Sequence, residues 1–257
     1  MRNTWIILKK ELHSYFVSPI AYLLLTMFGL IFGFVFWSSV AYFANYSIEA
    51  QMQGQSFPMN VNEMVIRPVL SNGLIGFIVG VLVVPLITMR LFAEEKRTGT
   101  IELLATSPIH DLEIILGKWL AALAMYTSLL AFTAVNFIFL FRYGNPDWKP
   151  LAIGYLGLLL QGAALLALGT FISTLTRNQI IAAASTVGVC LLLWLLEWNS
   201  YNPATWAQVM TYCSVNKHYE SFTKGVLDTK DAVYYLSVIF LGLFLTSRSM
   251  ESLRWRS

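Results

Sequence analysis

Charge is scarce in this chain: Asp, Glu, Lys and Arg make up 12% of its 257 residues. A soluble domain carries roughly 25%. The shortage is also uneven. No charged side chain occurs in residues 12–48, 68–89, 119–141, 150–176, 178–196 or 232–247. About 20 apolar residues cross the hydrocarbon core of a bilayer, so gaps of this length exclude an ordinary soluble domain and predict six spans. They are placed at about residues 20–42, 70–91, 119–141, 151–174, 179–197 and 232–248. The last charge-free gap has only 16 residues, about 24 Å of helix at ~1.5 Å per residue. It spans if Arg248 snorkels outward and the bilayer thins.

Other absences narrow the function. Two cysteines, Cys190 and Cys213, exclude a disulfide framework and read as packing residues. The three histidines, His13, His110 and His218, stand at no metal-ligand spacing with Cys, Asp or Glu, so neither metal nor catalytic residues are assigned. Ser214, His218 and Asp228 can be drawn as a hydrolytic set, but any polar loop offers one. Gly117-Lys118 is followed by Trp119, with no glycine five residues before it. A phosphate loop is therefore missing, and this chain is expected to bind no cofactor of its own. Ion-coupled carriers keep ionisable groups at mid-membrane, whereas these spans are almost bare. Glu197 falls at the outer end of the fifth span, and Gln161 and Asn136 read as interhelical hydrogen-bonding groups. A net charge of +3 gives no reason to invoke nucleic acid.

What is present points to one all-α integral membrane domain over residues 1–257. Lys and Arg divide eleven to six between the two faces of a six-span topology. The richer set includes Arg2, Lys9, Lys10, Arg90, Lys96, Arg97, Lys118 and Arg177, and it belongs in the cytoplasm with both termini. The first span is too long for a cleaved signal peptide. Before it, residues 1–18 carry Trp5, Leu8, Leu12 and Phe16 at helical spacing beside Lys9 and Lys10. That pattern suits a helix in the inner interface, or an amphipathic extension of the first span. Residues 44–67 read as an outer loop. Pro85 should kink the second span, and Gly29/Gly33 and Gly76/Gly80 have close-packing spacing. After the fifth span, Trp206, Val209, Met210 and Cys213 share a face, and Lys224-Gly225 resembles a helix end. Two short outer helices are expected there.

The densest polar segment, "EEKRTGTIELLATSPI" at residues 94–109, lies between the second and third spans. Gly99 can begin a short helix, with Glu102 in its first turn where a carboxylate favours the positive end. Ile101, Leu104 and Ala105 form an apolar stripe, and Ser107-Pro108 stops that helix and begins another. Helix–helix connections usually take two to eight residues, so this longer, capped one suits docking to a partner.

"PLITMRLFAEEKRTGTIELLATSPI" at residues 85–109, with "LGK" at 116–118, resembles the ABC-2 type permeases of ATP-binding-cassette transporters. The tail at residues 218–255 and "KKELHSYFVSPIAYLL" at residues 9–24 are similar to the permeases of gliding motility and nitrous-oxide-reductase maturation. "IHD" after Pro108 departs from many relatives, which have a small residue and a basic one there. The resemblance implies a half-transporter whose residues 1–18 form a connecting helix, with Trp5, Leu8, Lys9, Lys10 and Leu12 at the interface. It implies a coupling helix carried by Gly99, Thr100, Glu102, Leu104 and Pro108, and re-entrant helices before the sixth span. The implied partners are a cytoplasmic ABC ATPase that binds ATP and Mg, a second permease, and the lipids of the bacterial inner membrane. Substrate stays open among lipid-like compounds, peptides, drugs and force applied to an envelope machine. A membrane-embedded enzyme and a structural anchor remain the alternatives.

Overall fold

The computed structural model describes residues 2–53, 60–101, 109–144, 146–197 and 204–254. It is helical throughout, with no strand among those residues. Helix α1 (Arg2–Val17) leads through Ser18 into α2 (Pro19–Met52), where Ser18 Oγ accepts the Ile20 amide at 3.4 Å. Proline at the first helical position suits this elbow, since its missing N–H would have had no partner there. The second membrane segment, Asn62–Thr98, is built in pieces. A π-helical turn at Asn62–Ile66 precedes α3 (Arg67–Leu70) and α4 (Gly73–Ile78). A second π-helical turn at Val79–Val83 is followed by α5 (Val84–Thr88) and α6 (Ala93–Thr98). Four long or apolar helices come next, interrupted by two short ones. They are α7 (Asp111–Tyr143), α8 (Trp148–Leu175), α9 (Gln179–Leu195), α10 (Thr205–Tyr212), α11 (Val215–Thr223) and α12 (Thr229–Arg254).

Among the described residues, five helices are long and apolar enough to cross a membrane: Pro19–Met52, Asn62–Thr98, Asp111–Tyr143, Trp148–Leu175 and Thr229–Ser252. The short apolar helix is α9, with 17 residues, and not the last one. α12 reaches 26 residues because Lys230, Asp231, Arg248 and Glu251 all continue its helix beyond the apolar stretch. Residues 44–52, expected as loop, extend α2, and helix resumes at the π turn of Asn62. The polar Gln, Asn and Ser there are tolerated because an exposed helix leaves them hydrated.

α8 is the central post, packing on α5, α7, α9, α11 and α12. Its sequence explains this. Gly154, Gly157, Gly162, Ala163, Ala164, Ala167 and Gly169 are all buried, and small residues let neighbouring backbones approach where lipid supplies no hydrophobic contrast. The tightest case is Gly162, where an added Cβ would lie 2.1 Å from the Tyr126 ring. Tyr126 is fully buried, and its hydroxyl donates to the Leu158 carbonyl at 3.1 Å. The outward faces are apolar: Leu30, Phe34 and Trp37 of α2, Ile138 and Phe139 of α7, and Phe240 of α12 are exposed, as hydrocarbon contact requires.

Pro85 sits in the first turn of α5, after the π-helical turn. A regular helix would pair the residue-85 amide with the Val81 carbonyl, and proline has no amide to give. The widened turn, in which the Val84 amide bonds the Val79 carbonyl, absorbs the mismatch at the place where the kink was expected. Of the expected close-packing pairs, Gly80 approaches Cys190 of α9 at 3.4 Å, while Gly33 meets nothing within 4 Å.

Gly162→Ala is expected to lower stability by about 1–3 kcal/mol, because a packed ring must shift to admit the methyl group. Thermal unfolding of the detergent-purified chain checks this, with Gly33→Ala, where an added Cβ meets nothing within 4 Å, predicted to be near neutral.

Candidate functional site

The end of the bundle where α1 packs on α7 holds a polar cluster, centred on Lys118 in the second turn of α7. Its side chain is 2% exposed. Lys118 Nζ donates to Glu95 Oε1 at 2.7 Å, to the Leu91 carbonyl at 2.7 Å and to Glu11 Oε1 at 3.0 Å. An ammonium has three donors, and all three are used. Its charge also lies 5.2 Å from the Phe92 ring. Four segments therefore meet at one cation: α1 through Glu11, the Leu91 turn, α6 through Glu95, and α7 itself.

The surrounding contacts extend this tie. Ser173 Oγ of α8 accepts the Phe92 and Ala93 amides at 3.1 and 3.2 Å, capping α6 from another helix, since Phe92 gives no side-chain cap. Lys96 donates to the Thr174 carbonyl, and Thr174 Oγ1 bonds Ser249 Oγ of α12 at 2.8 Å. Arg90 Nε bonds Glu94 at 3.1 Å, and its Nη1 reaches Ser18 at the α1–α2 elbow, also at 3.1 Å. Tyr15 of α1 donates to the Ile87 carbonyl at 2.8 Å, and burial holds its phenol well above the ordinary range. Asn3 donates to Glu113 in the first turn of α7 at 2.9 Å.

Against this frame the expected site residues divide. Gly99 marks the break between α6 and the helix that follows it: its φ of 74° is the left-handed conformation that glycine adopts readily. Helix resumes at Thr100, whose Oγ1 lies 3.0 Å from Thr98 Oγ1. Glu102, Leu104 and Pro108 lie outside the described residues. Leu8 and Leu12 pack against the core with Phe16, whereas Trp5, Lys9 and Lys10 are exposed. The apolar stripe of α1 is thus split: its Leu/Phe part turns to the protein because Ile7 and its neighbours find the small Gly117 of α7, where an added Cβ would be 2.9 Å away. Sequence reading placed Lys118 only by its charge, and nothing local marked it as the centre. A single cation inside "LGKWLAALA" was the available signal.

At the opposite end, α10, α11 and the start of α12 form a second polar knot. His218 Nδ1 lies 2.7 Å from Asp231 Oδ1, and its Nε2 lies 2.8 Å from the Tyr212 carbonyl. Both ring nitrogens thus have an oxygen within hydrogen-bond reach. The ring stacks on Tyr234 at 3.8 Å. Ser221 donates to the other oxygen of Asp231. The carboxylate beside His218 is therefore Asp231 and not Asp228, which instead accepts the Lys230 amide. Asp231 stands between Ser221 and His218, so these three residues do not form the serine–histidine contact of a hydrolytic triad, and they tie α11 to α12. Gln161 donates to Asn216 of α11 at 2.9 Å, joining helices as expected, while Asn136 bonds its own helix at the Thr133 carbonyl. Glu197 borders an open cavity of ≈ 320 Å³ with Asn72, Gly73, Trp194 and Asn216. Among the described residues no group of three metal-ligand side chains occurs.

Comparison with known proteins agrees with this architecture. The model of a family described as "ABC-2 family transporter protein" matches residues 5–243. Two curated relatives, both named "Probable multidrug ABC transporter permease YbhR", come from Escherichia coli strain K12 and from Escherichia coli O157:H7. Each is 28% identical over 155 residues, covering 58% of this chain and 40% of the relative.

Removing one partner of a buried ion pair costs about 3–5 kcal/mol, and Lys118→Met strands two carboxylates at once. It is expected to destabilise the chain by about that amount. Glu95→Gln, which keeps an acceptor for Lys118, should cost about 1–2 kcal/mol. Thermal or denaturant unfolding in detergent ranks the two; equal losses would show that the charge of Glu95 matters as much as the cation.

Proposed function

The chain belongs to the ABC-2 transporter family, and on that premise we propose that it is the membrane-spanning permease subunit of an ATP-driven transporter. In this reading a separate cytoplasmic ATPase binds ATP and Mg, and a second permease, identical or related, completes the pathway. The chain itself carries no catalytic residue. In this reading the tail and the N-terminal segment resemble the permeases of gliding motility and nitrous-oxide-reductase maturation. A relative named as a multidrug permease, together with spans that hold few ionisable groups, favours an apolar or amphipathic cargo moved outward.

Six spans fit better than five. α9 is about 26 Å long at ~1.5 Å per residue, slightly short of a ~30 Å core, a mismatch that bilayer thinning absorbs. Thr174, at the end of α8, bonds Ser249 near the end of α12, while Trp194, late in α9, contacts Phe77 of α4 at 5.5 Å and borders the same cavity as Asn72 and Gly73. These contacts favour a crossing of the bundle by α9. With that crossing counted, both termini lie on one face, and the basic excess assigns that face to the cytoplasm of a bacterial inner membrane.

The observation that carries the coupling role is the anchoring of α6. Glu95 is held by Lys118 and the Phe92 and Ala93 amides by Ser173, so the connection that follows α6 starts from a fixed base. A displacement of that connection has rigid links to α1, α7 and α8. Gly99, Thr100, Glu102, Leu104 and Pro108 are the proposed ATPase-facing residues, and Trp5, Leu8, Lys9, Lys10 and Leu12 the proposed interface-helix residues. Glu102 favours a helix start and offers a carboxylate to a donor on the ATPase.

Glu102→Ala should cost about 1 kcal/mol or less of intrinsic stability, yet weaken ATPase association or uncouple hydrolysis from transport. Leu104→Asp should do so more strongly, by placing a charge in an apolar dock. Expression, unfolding temperature, ATPase co-purification and substrate-stimulated hydrolysis are measured together for both variants. Two well-folded, fully coupled variants would reduce the segment to a linker.

A further inference from the structure

One exposed face of α1 carries more than interfacial character. Lys10, His13, Ser14 and Val17 fall at i, i+3, i+4 and i+7, and so stand above one another on the helix. With Ser18 at the elbow and Arg90 from the inner end of the second segment, they line an open cleft of ≈ 560 Å³. Three properties point to its occupant. The first is a surplus of donors. Lys10 is 70% exposed, and its nearest carboxylate, Glu11 at 3.8 Å, is closer to Lys118 at 3.0 Å. Arg90 spends Nε on Glu94 and Nη1 on Ser18, which leaves donors of its five-donor guanidinium unspent.

The second property is preorganisation. Glu94 and Ser18 fix the guanidinium at 25% side-chain exposure, so little rotamer freedom is lost when an anion arrives. The third is the gradient along the helix. The polar donors occupy the earlier turns, and Val17, 69% exposed, lies at the end where the chain turns into the first span. A ligand that is anionic at one end and apolar at the other matches this order.

We propose that this cleft binds the phosphate group of an anionic phospholipid, from the leaflet on the side of the bundle where α1 meets α2. Lys10, His13 and Ser14 contact the headgroup from α1, Arg90 contacts it from the second segment, and Val17 borders the first acyl carbons. The carboxylates facing the cleft's cations are Glu94 and Glu11, each engaged by a cation within the protein. The site needs only that the chain is embedded in a bilayer, which the membrane reading supplies. It does not depend on an ATPase or on which leaflet is cytoplasmic, so failure here leaves the permease reading intact.

Lys9 gives a matched control. It has the same charge and helix as Lys10, but stands over Trp5 at 5.4 Å and does not line the cleft. The full-length chain is placed in phosphatidylcholine nanodiscs doped with spin-labelled phosphatidylglycerol, and the relative association constant is read from the immobilised fraction. An interfacial basic residue contributes about a fivefold change near an anionic surface. Lys10→Ala should weaken phosphatidylglycerol association by about fivefold, Lys9→Ala by less than about twofold, and spin-labelled phosphatidylcholine should show neither change. Added inorganic phosphate at constant ionic strength should not displace the lipid. Equal effects of the two substitutions, or no effect of Lys10→Ala, would overturn the proposal in favour of diffuse surface charge. Displacement by inorganic phosphate would overturn the lipid assignment and make the cleft a free-phosphate site.

Discussion

A buried ammonium in a membrane protein is an expensive group, and Lys118 is tolerated because each of its three protons has an oxygen to meet. Two of those oxygens are carboxylates on different segments, Glu11 and Glu95, and the third is the Leu91 carbonyl. In a bilayer apolar side chains gain little by preferring one another to lipid, so helix order depends more on close packing and on polar contacts of this kind. The cation fixes where α1, the Leu91 turn and α6 sit on α7. Ser173 then fixes α6 on α8, and Thr174 fixes α8 on α12.

The two ends of the bundle use different chemistry. The inner cluster is built from long, flexible side chains, Lys118, Glu95, Arg90 and Lys96, that reach between helices. The outer knot relies on aromatic rings packed about His218, with Tyr234 stacked on it and Tyr212 edge-on at 5.0 Å. Tyr234 and Tyr235 add bonds to the Cys213 and Val215 carbonyls at 2.7 and 2.8 Å. Rings carry large contact area at low conformational cost. One orphan remains within the inner cluster: Glu95 Oε2 is buried with no hydrogen-bond partner. Its partner oxygen takes the whole interaction with Lys118.

Between the ends, α8 explains why the chain can be so apolar without being featureless. Its small residues lower the helix–helix distance, and the large partners, Tyr126 against Gly162 and Phe222 against Gly157, fill the grooves. α9 completes the ring through Gly80 and Cys190. The cavity beside Glu197 and Asn216 opens where the broken second segment, α9 and α11 diverge.

By itself the sequence determined the class and the segments. Charge-free gaps of fixed length leave few structures other than spanning helices, and Pro85, the short outer helices and the Gln161 contact followed from local chemistry. Boundaries were less legible, as α2 shows by running ten residues past Tyr42, because polar residues in an exposed helix resemble loop. Gly99 was legible as a break before a helix but not as the residue that also closes α6, since a glycine before a helix and one after a helix look alike without φ. Only the tertiary structure decided which charges pair. Glu11 and Lys118 are 107 residues apart, and Asn3 and Glu113 are 110 apart. No local period relates such residues, so only the packing of α1 on α7 brings them within hydrogen-bond reach.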